Sequence, residues 1–383
     1  MTPFTFNTTP SLRMGAGLAR QLGEIVKPIC GENILFVTDP GMVANGLVGP
    51  VVNTLRAAGL RVTIFDQVQA DPPEAIILQA ADMARHVSGV VGFGGGSSLD
   101  VAKLAALLAA SGQPLAEAYG IGNAKGPRLP LVLVPTTSGT GSEVTPISIV
   151  TTGALEKMGV VSPLILPDVA VLDPELTLGL PAHVTAATGI DAMVHAIEAY
   201  ASANPNNNPV SRALAVEALC LMGRVLQRAV DTPGNIEARS DMMLGSMLAG
   251  QAFANSPVAA VHALAYPIGG HYKVPHGLSN ALVLPHVLRF NAEAAPLAYA
   301  ELLPHVFPQV SDTGVGDAAV KFVEGMAALS RACGLPQNLR DVGIEKEALP
   351  MLACDAMNQT RLLVNNPRPV DEAAALAIYE AAW

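Results

Sequence analysis

Residues 89–110 read GVVGFGGGSSLDVAKLAALLAA. The opening GVVGF is a short apolar run of the kind a buried strand uses, and SLDVAKLAALLAA (98–110) carries apolar residues at helical spacing. Between them the glycines Gly94, Gly95 and Gly96 let backbone N–H groups approach a ligand with no Cβ in the way, and the start of the helix adds partial positive charge. Ser97 or Ser98 can cap that helix, with Asp100 in its first turn. Strand, glycine turn and helix in that order form one step of an α/β fold, and the turn is a candidate phosphate cradle. It is not the G-x-G-x-x-G fingerprint, and a merely tight turn is the plain alternative.

The same rhythm extends outward. NILFVT (33–38), RVTIFD (61–66) and LVLVP (131–135) are short runs rich in Val, Ile, Leu and Phe, each followed by turn residues and most by a helical pattern. Parallel strands need crossover connections, so this alternation predicts an α/β domain with a parallel sheet and helices on its faces. Ligands bind such sheets where strands end and loops begin. After LVLVP comes PTTSGTGSEVT (135–145), in which Thr136, Thr137, Thr140 and Ser142 are candidate donors to phosphate or ribose oxygens. A turn capped by its own hydroxyls is the structural alternative. Asp39, in VTDPG, can accept from the 2′- and 3′-hydroxyls of an adenosine ribose and repel a 2′-phosphate, which predicts NAD over NADP. An Asp-Pro-Gly turn explains the same residues structurally.

Beyond about residue 180 strand-like runs nearly vanish. Ala/Leu/Met/Glu-rich stretches at 184–203, 209–230, 236–253, 258–271, 315–333 and 371–382 predict an all-helical second domain. The boundary falls near LTLGLPAHVT (176–185), where Pro181 can open the first helix. The expected domains are therefore 1–180 and 181–383, in keeping with a chain of 383 residues.

Composition narrows the function classes. Half the residues are hydrophobic and 14% are charged, which supports a large core. A net charge of −10 excludes the basic footprint that nucleic acid requires and disfavours an anionic membrane surface. No uninterrupted apolar run reaches about 20 residues, so no spanning helix is expected. The N-terminal MTPFTFNTTPSLRMG lacks the basic start and apolar stretch of a signal peptide, and Cys30, Cys220, Cys333 and Cys354 are scattered without a C-x-x-C pair. A cytoplasmic protein with reduced thiols is expected.

TGIDAMVHAIEAY (188–200) places Asp191 and His195 four residues apart, on one face of a helix. Such a pair alone is commonly an ordinary helical contact. Farther on, VHALAYPIGGHYKVPHG holds His262, His271 and His276, with His286 nearby; five of the chain's eight histidines thus fall in or near these segments. Imidazoles with one carboxylate suit Zn²⁺ or Fe²⁺, and spacing alone leaves open which histidines serve.

Taken in order, GGGSSLD (94–100), PTTSGTGSEVT (135–145), LPDVAVLDPELT (166–177), TGIDAMVHAIEAY (188–200), HALAYPIGGHYKVPHG (262–277) and NNPR (365–368) resemble the iron-containing (group III) alcohol dehydrogenase family over essentially the whole chain. The resemblance implies a metal-dependent enzyme that passes hydride between a small alcohol or aldehyde and NAD(H), with Fe²⁺ or Zn²⁺ on Asp191, His195, His262 and His276. It implies pyrophosphate on Gly95, Gly96 and Ser97, the rest of the cofactor among Thr136, Thr137, Thr140 and Thr145, and the adenosine ribose near Asp39. Lys157, in LEKMGVV, matches a lysine at the nicotinamide end; Phe253 matches an aromatic of the substrate pocket. A homodimer or larger homo-oligomer is the implied assembly.

One position departs from the pattern. Relatives of the small-diol type read H-x-x-x-H-P, and here the second histidine is Tyr266, with His271 five residues on. Tyr266 and His271 are the two candidates for the missing imidazole's catalytic role, against a reading in which Tyr266 fills the wall and His271 faces solvent. The same fold also serves dehydroquinate synthase-like lyases, which need a Lys/Arg cluster not evident here, and maleylacetate reductases, which are expected to lack the Asp-and-three-His set.

Overall fold

The computed structural model describes residues 2–153, 156–310 and 314–383. They form two compact units, one of Asn7–Gly179 and one of Leu180–Trp383 joined by Met1–Phe6. The first residues belong with the helical unit because Thr5 exchanges two backbone hydrogen bonds with the side chain of Asn206, both 2.9 Å.

Among the described residues the first unit is built on nine strands: β1 (Ser11–Met14), β2 (Asn33–Val37), β3 (Arg61–Phe65), β4 (Gly89–Gly94), β5 (Gly120–Ile121), β6 (Leu131–Pro135), β7 (Ile147–Thr152), β8 (Glu156–Val161) and β9 (Val169–Leu172). Six of them make a wholly parallel sheet in the order β1-β9-β6-β4-β2-β3. Alternation along β2 sorts the core into two layers. Ile34 and Phe36 pack with Leu22, Val26 and Leu55 on one face, while Leu35 and Val37 pack with Ile77, Leu99 and Leu104 on the other. The four runs read as strands are the sheet's β2, β3, β4 and β6. After β2 the chain turns to β3 on one side and then returns to β4 on the other, so the order reverses between β2 and β4. The loops that leave these two strands diverge there, and such a switch point is where this class of sheet opens for a ligand.

Two features lie beyond the sequence expectation. The sheet extends through β9 to an edge strand, β1, whose outer positions are mostly exposed. A second sheet, β5-β8-β7, combines a parallel pair with an antiparallel hairpin.

The second unit is helical among its described residues. Its helix Ala182–Ala201 has every residue from Thr185 to Tyr200 buried except Thr188, so its polar face of Asp191, His195 and Glu198 is enclosed along with its apolar ones. It packs against Pro209–Asp231, Ile236–Asn255 and His276–Ala292. Pro181 is its N-cap, one residue ahead of the first helical position. The predicted helical stretches correspond to helices within a few residues of their ends; the α-helices His276–Ala292, Pro296–Val306, Leu349–Ala356 and Thr360–Leu363 lie outside them. Among the described residues no helix is long and apolar enough to cross a membrane.

Candidate metal centre and nucleotide loops

Asp191 and His195 stand one turn apart on the buried helix Ala182–Ala201, His262 near the start of Ala260–Tyr272, and His276 at the first position of His276–Ala292. One donor atom from each of the four lies within 4.8 Å of the others. Three imidazole nitrogens and one carboxylate oxygen are the donor chemistry of a catalytic divalent transition-metal site. Asp191 and His262 are nearly inaccessible, while 39% of the His276 side chain is exposed, so the cluster is approachable from one side. Burial pushes the Asp191 carboxyl up, but His195, His276 and His262 and the amide of Asn280 outweigh it and hold it below the usual carboxylate range. An anionic carboxylate among imidazoles is the state a cation needs.

Sequence reasoning missed Glu198. Its Oε2 lies 2.6 Å from His262 Nδ1, and its Oε1 accepts from the Val261 backbone N–H at 2.7 Å. With Nδ1–H donating to Glu198, the Nε2 of His262 is left unprotonated and turned to the donor cluster, the arrangement that fixes the tautomer and orientation of a ligating histidine. The signal was available: Glu198 follows Asp191 by seven residues and His195 by three, so all three share one helix face.

The aromatic candidates separate. The ring of Phe253 stacks on His195 with centroids 4.3 Å apart, and Tyr266 lies 5.9 Å from the His276 ring, so both flank the cluster. His271 is not brought in. Its Nε2 lies 2.6 Å from Asp355 Oδ2 in a partly exposed pair, and it is not among the four clustered donors. Near the end of its helix it lies about two turns beyond His262, and the carboxylate of Asp355 holds its ring there.

In the α/β unit, the helix Gly96–Ser111 begins with Gly95 at its N-cap and no side-chain cap. The expectation that Ser97 or Ser98 caps it is corrected: Ser98 donates instead to Asp39 Oδ2 at 3.1 Å. The first-turn N–H groups are thus left to another acceptor. The loop after β6 closes over this turn, since a Cβ on Gly96 would lie 2.8 Å from Thr140 Cγ2. Asp39 caps Pro40–Ala44 through Met42 N–H at 3.1 Å, as the turn reading has it, and accepts from Ser98, which places its carboxylate beside the glycine turn.

The four threonines do not stand alike. Thr137 and Thr140 are partly exposed beside Gly95 and Gly96. Thr136 is buried and donates to Met42 Sδ at 3.3 Å. Thr145 is buried in a polar knot where Lys103 Nζ donates to Ser142 Oγ (2.8 Å), the Ile147 carbonyl (2.8 Å) and Thr145 Oγ1 (3.3 Å). Asp100 closes this knot by accepting from Ser142 and from the Ile149 N–H. Nearby, burial pushes the Glu143 carboxyl up to about 7, against the pull of Lys103. Lys157 lies on β8, paired with Asp71 at 2.8 Å and bonded to Thr151. The motif residues Asn365, Asn366 and Arg368 bond to Val258 O, Asn291 and Phe290 O, which makes NNPR a structural clamp.

A glycine-turn parallel sheet and a centre of three imidazoles and one carboxylate are the two parts of a metal-dependent oxidoreductase. The chain belongs to the iron-containing alcohol dehydrogenase family: residues 9–174 match "Iron-containing alcohol dehydrogenase" and residues 185–383 match "Fe-containing alcohol dehydrogenase family, C-terminal". It is 42% identical over 382 residues to long-chain-alcohol dehydrogenase 1 of Geobacillus thermodenitrificans, covering 98% of this chain and 95% of that one. With 1,3-propanediol dehydrogenase of Citrobacter freundii it shares 38% identity over 94% of each chain. A crystal structure of a 1,3-propanediol oxidoreductase superposes with a TM-score of 0.95 at 36% identity over 100% of both chains. That of sulfoacetaldehyde reductase from Bifidobacterium kashiwanohense in complex with NAD⁺ gives 0.88 at 28% identity over 100% and 99%. These relatives do not favour a lyase or a maleylacetate reductase, and the complete Asp-and-three-His set argues against the latter.

Proposed function

We propose that this chain holds Fe²⁺ or Zn²⁺ on Asp191, His195, His262 and His276 and exchanges hydride between a small alcohol or aldehyde and NAD(H). The observation that carries the reading is the convergence of those four donor atoms within 4.8 Å from three different helices. An ion bound there supplies a Lewis acid for an alcohol or carbonyl oxygen, while the nicotinamide carries the hydride. The protein's own groups orient the rest. Glu198 sets the face of His262, Phe253 walls the cluster beside His195, and the Tyr266 hydroxyl takes the polar role of the absent histidine toward substrate. The uncapped N–H groups at Gly95, Gly96 and Ser97 receive the pyrophosphate, with Thr137 and Thr140 beside it. Thr136, Thr145 and Lys157 act at the cofactor's margin, by shaping the loops around it.

The NAD⁺ complex of a structural relative supports the choice of nicotinamide cofactor. Residues 1–180 then serve as the dinucleotide-binding domain and 181–383 as the metal-binding domain. The reading includes a cytoplasmic setting, consistent with four unpaired cysteines, and a homodimer or larger homo-oligomer. The test is NADH absorbance with a panel of short alcohols and aldehydes, run on metal-loaded and chelator-stripped protein. Turnover is expected with loaded protein alone, and full activity after stripping overturns the proposal.

Asp39 gives a second prediction. Its carboxylate lies one hydrogen bond from the glycine turn, where a 2′-phosphate would meet like charge. Asp39→Gly is expected to shift the ratio of kcat/KM for NADP over NAD upward by at least about tenfold, the equivalent of about 1.4 kcal/mol. An unchanged ratio would leave Asp39 as a cap for Pro40–Ala44 and nothing more.

A further inference from the structure

Asn280 stands one turn after His276 on the helix His276–Ala292 and is fully buried. Its Nδ2 lies 2.6 Å from Asp191 Oδ1, 3.3 Å from His262 Nε2 and 3.3 Å from His276 Nε2. An amide nitrogen has two hydrogens, so it cannot serve three acceptors equally, and the short contact to the carboxylate marks the strong, charge-assisted bond. The amide's orientation follows from it, because the opposite flip would set a carbonyl oxygen against a carboxylate oxygen. The other end of the side chain has no such anchor: Oδ1 is buried without a hydrogen-bond partner. A buried amide satisfied at one end costs free energy that an apolar side chain of like shape would not. Its presence is therefore explained by what the nitrogen does for the donor cluster.

We propose that Asn280 is a positioning residue of the metal centre, holding Asp191 so that its carboxylate offers a single oxygen to the ion. A carboxylate has two oxygens, and one left unrestrained can present both. The Asn280 N–H holds Oδ1, the oxygen that faces His262 Nε2 at 3.9 Å and His276 Nε2 at 3.7 Å. This fixes the carboxylate's rotation so that this one oxygen is turned to the ion, which leaves room among the donors for a substrate oxygen, as a catalytic site requires. The inference rests on the four-ligand reading of Asp191, His195, His262 and His276.

The test uses the full chain, stripped by a chelator and titrated with Co²⁺, whose visible bands report coordination number and geometry. Wild-type protein is expected to bind one equivalent with the strong bands of a low-coordinate site. Asn280→Ala, and Asn280→Leu as the variant closer in shape, are expected to melt within a few degrees of wild type without metal. They should bind Co²⁺ about 10- to 100-fold more weakly, with weaker bands as Asp191 presents both oxygens. Variants that melt far lower yet keep wild-type affinity and spectrum would make Asn280 a packing residue and overturn the proposal. Intensified bands would do so too, since they would mean that a direct ligand had been removed. If wild type itself takes up no Co²⁺, the four-ligand reading fails instead, so the two failures are told apart.

Discussion

His262→Ala is expected to abolish metal retention and turnover together while leaving NADH binding near wild type. The imidazole contributes one of four clustered donor atoms, and its orientation is secured through the 2.6 Å contact with Glu198. Loss of a supporting partner of a metal ligand typically costs 10–100-fold in affinity, so loss of the ligand itself should exceed about 100-fold. A second effect adds to the first. Glu198 is 5% exposed and, among the described residues, keeps the Val261 N–H as its hydrogen-bond donor when the ring is removed. A buried carboxylate deprived of one donor costs roughly 1–3 kcal/mol or more, which should appear as a lowered melting temperature even without metal. NADH binding is the control because Gly95, Gly96 and Thr140 belong to the other compact unit. Metal content by elemental analysis, turnover by NADH absorbance and NADH affinity by fluorescence check the three parts. A variant that keeps a full equivalent of tightly held metal would remove His262 from the ligand set.

How far the sequence discloses this molecule depends on whether a residue's role is local. The strands at β2, β3, β4 and β6 are legible because each is a continuous apolar run closed by turn residues, as strands buried on both faces must be. β1 and the β7–β8 hairpin are not, since an edge strand with exposed positions and a short strand with mixed polar residues carry little hydrophobic signal. The Asp191–His195 pair is local and shows itself by spacing. The choice of His262 and His276 over His271 is not, because all three lie in one short stretch and only the resemblance separated them. What decides it physically is Asp355, 84 residues from His271 in sequence and 2.6 Å away in space. Ser98 teaches the same lesson in the glycine turn. Its position suits a cap, and a partner 59 residues away, Asp39, takes its hydroxyl instead.

Gly277→Ala is expected to lower both stability and metal affinity, against the usual sign of a glycine-to-alanine change in a helix. At an open helical position alanine is favoured by about 0.8–1 kcal/mol, and Gly316, in the first turn of Val315–Ala332 with nothing within 4 Å of a built Cβ, should show that gain. A Cβ at Gly277 would instead lie 2.5 Å from the Ala187 carbonyl oxygen, 2.9 Å from its carbon and 3.3 Å from Asp191 Cβ. The first two obstacles are backbone of the helix that carries Asp191 and His195, and they cannot rotate aside as a flexible side chain would. The helix His276–Ala292 must therefore draw back at its first turn. Overpacking of this kind costs roughly 1–3 kcal/mol, enough to outweigh the propensity gain and lower the melting temperature by several degrees. His276 precedes Gly277 directly, so the same displacement carries its Nε2 off the 3.7 Å separation from Asp191 Oδ1. A ligand misplaced by a few tenths of an ångström to one ångström no longer meets the short bonds a transition metal demands, and metal affinity should fall at least about tenfold. Melting curves and Co²⁺ titration of Gly277→Ala beside Gly316→Ala check the prediction. If both variants are stabilised and bind metal as wild type does, the close approach of the two helices is not what brings His276 to Asp191.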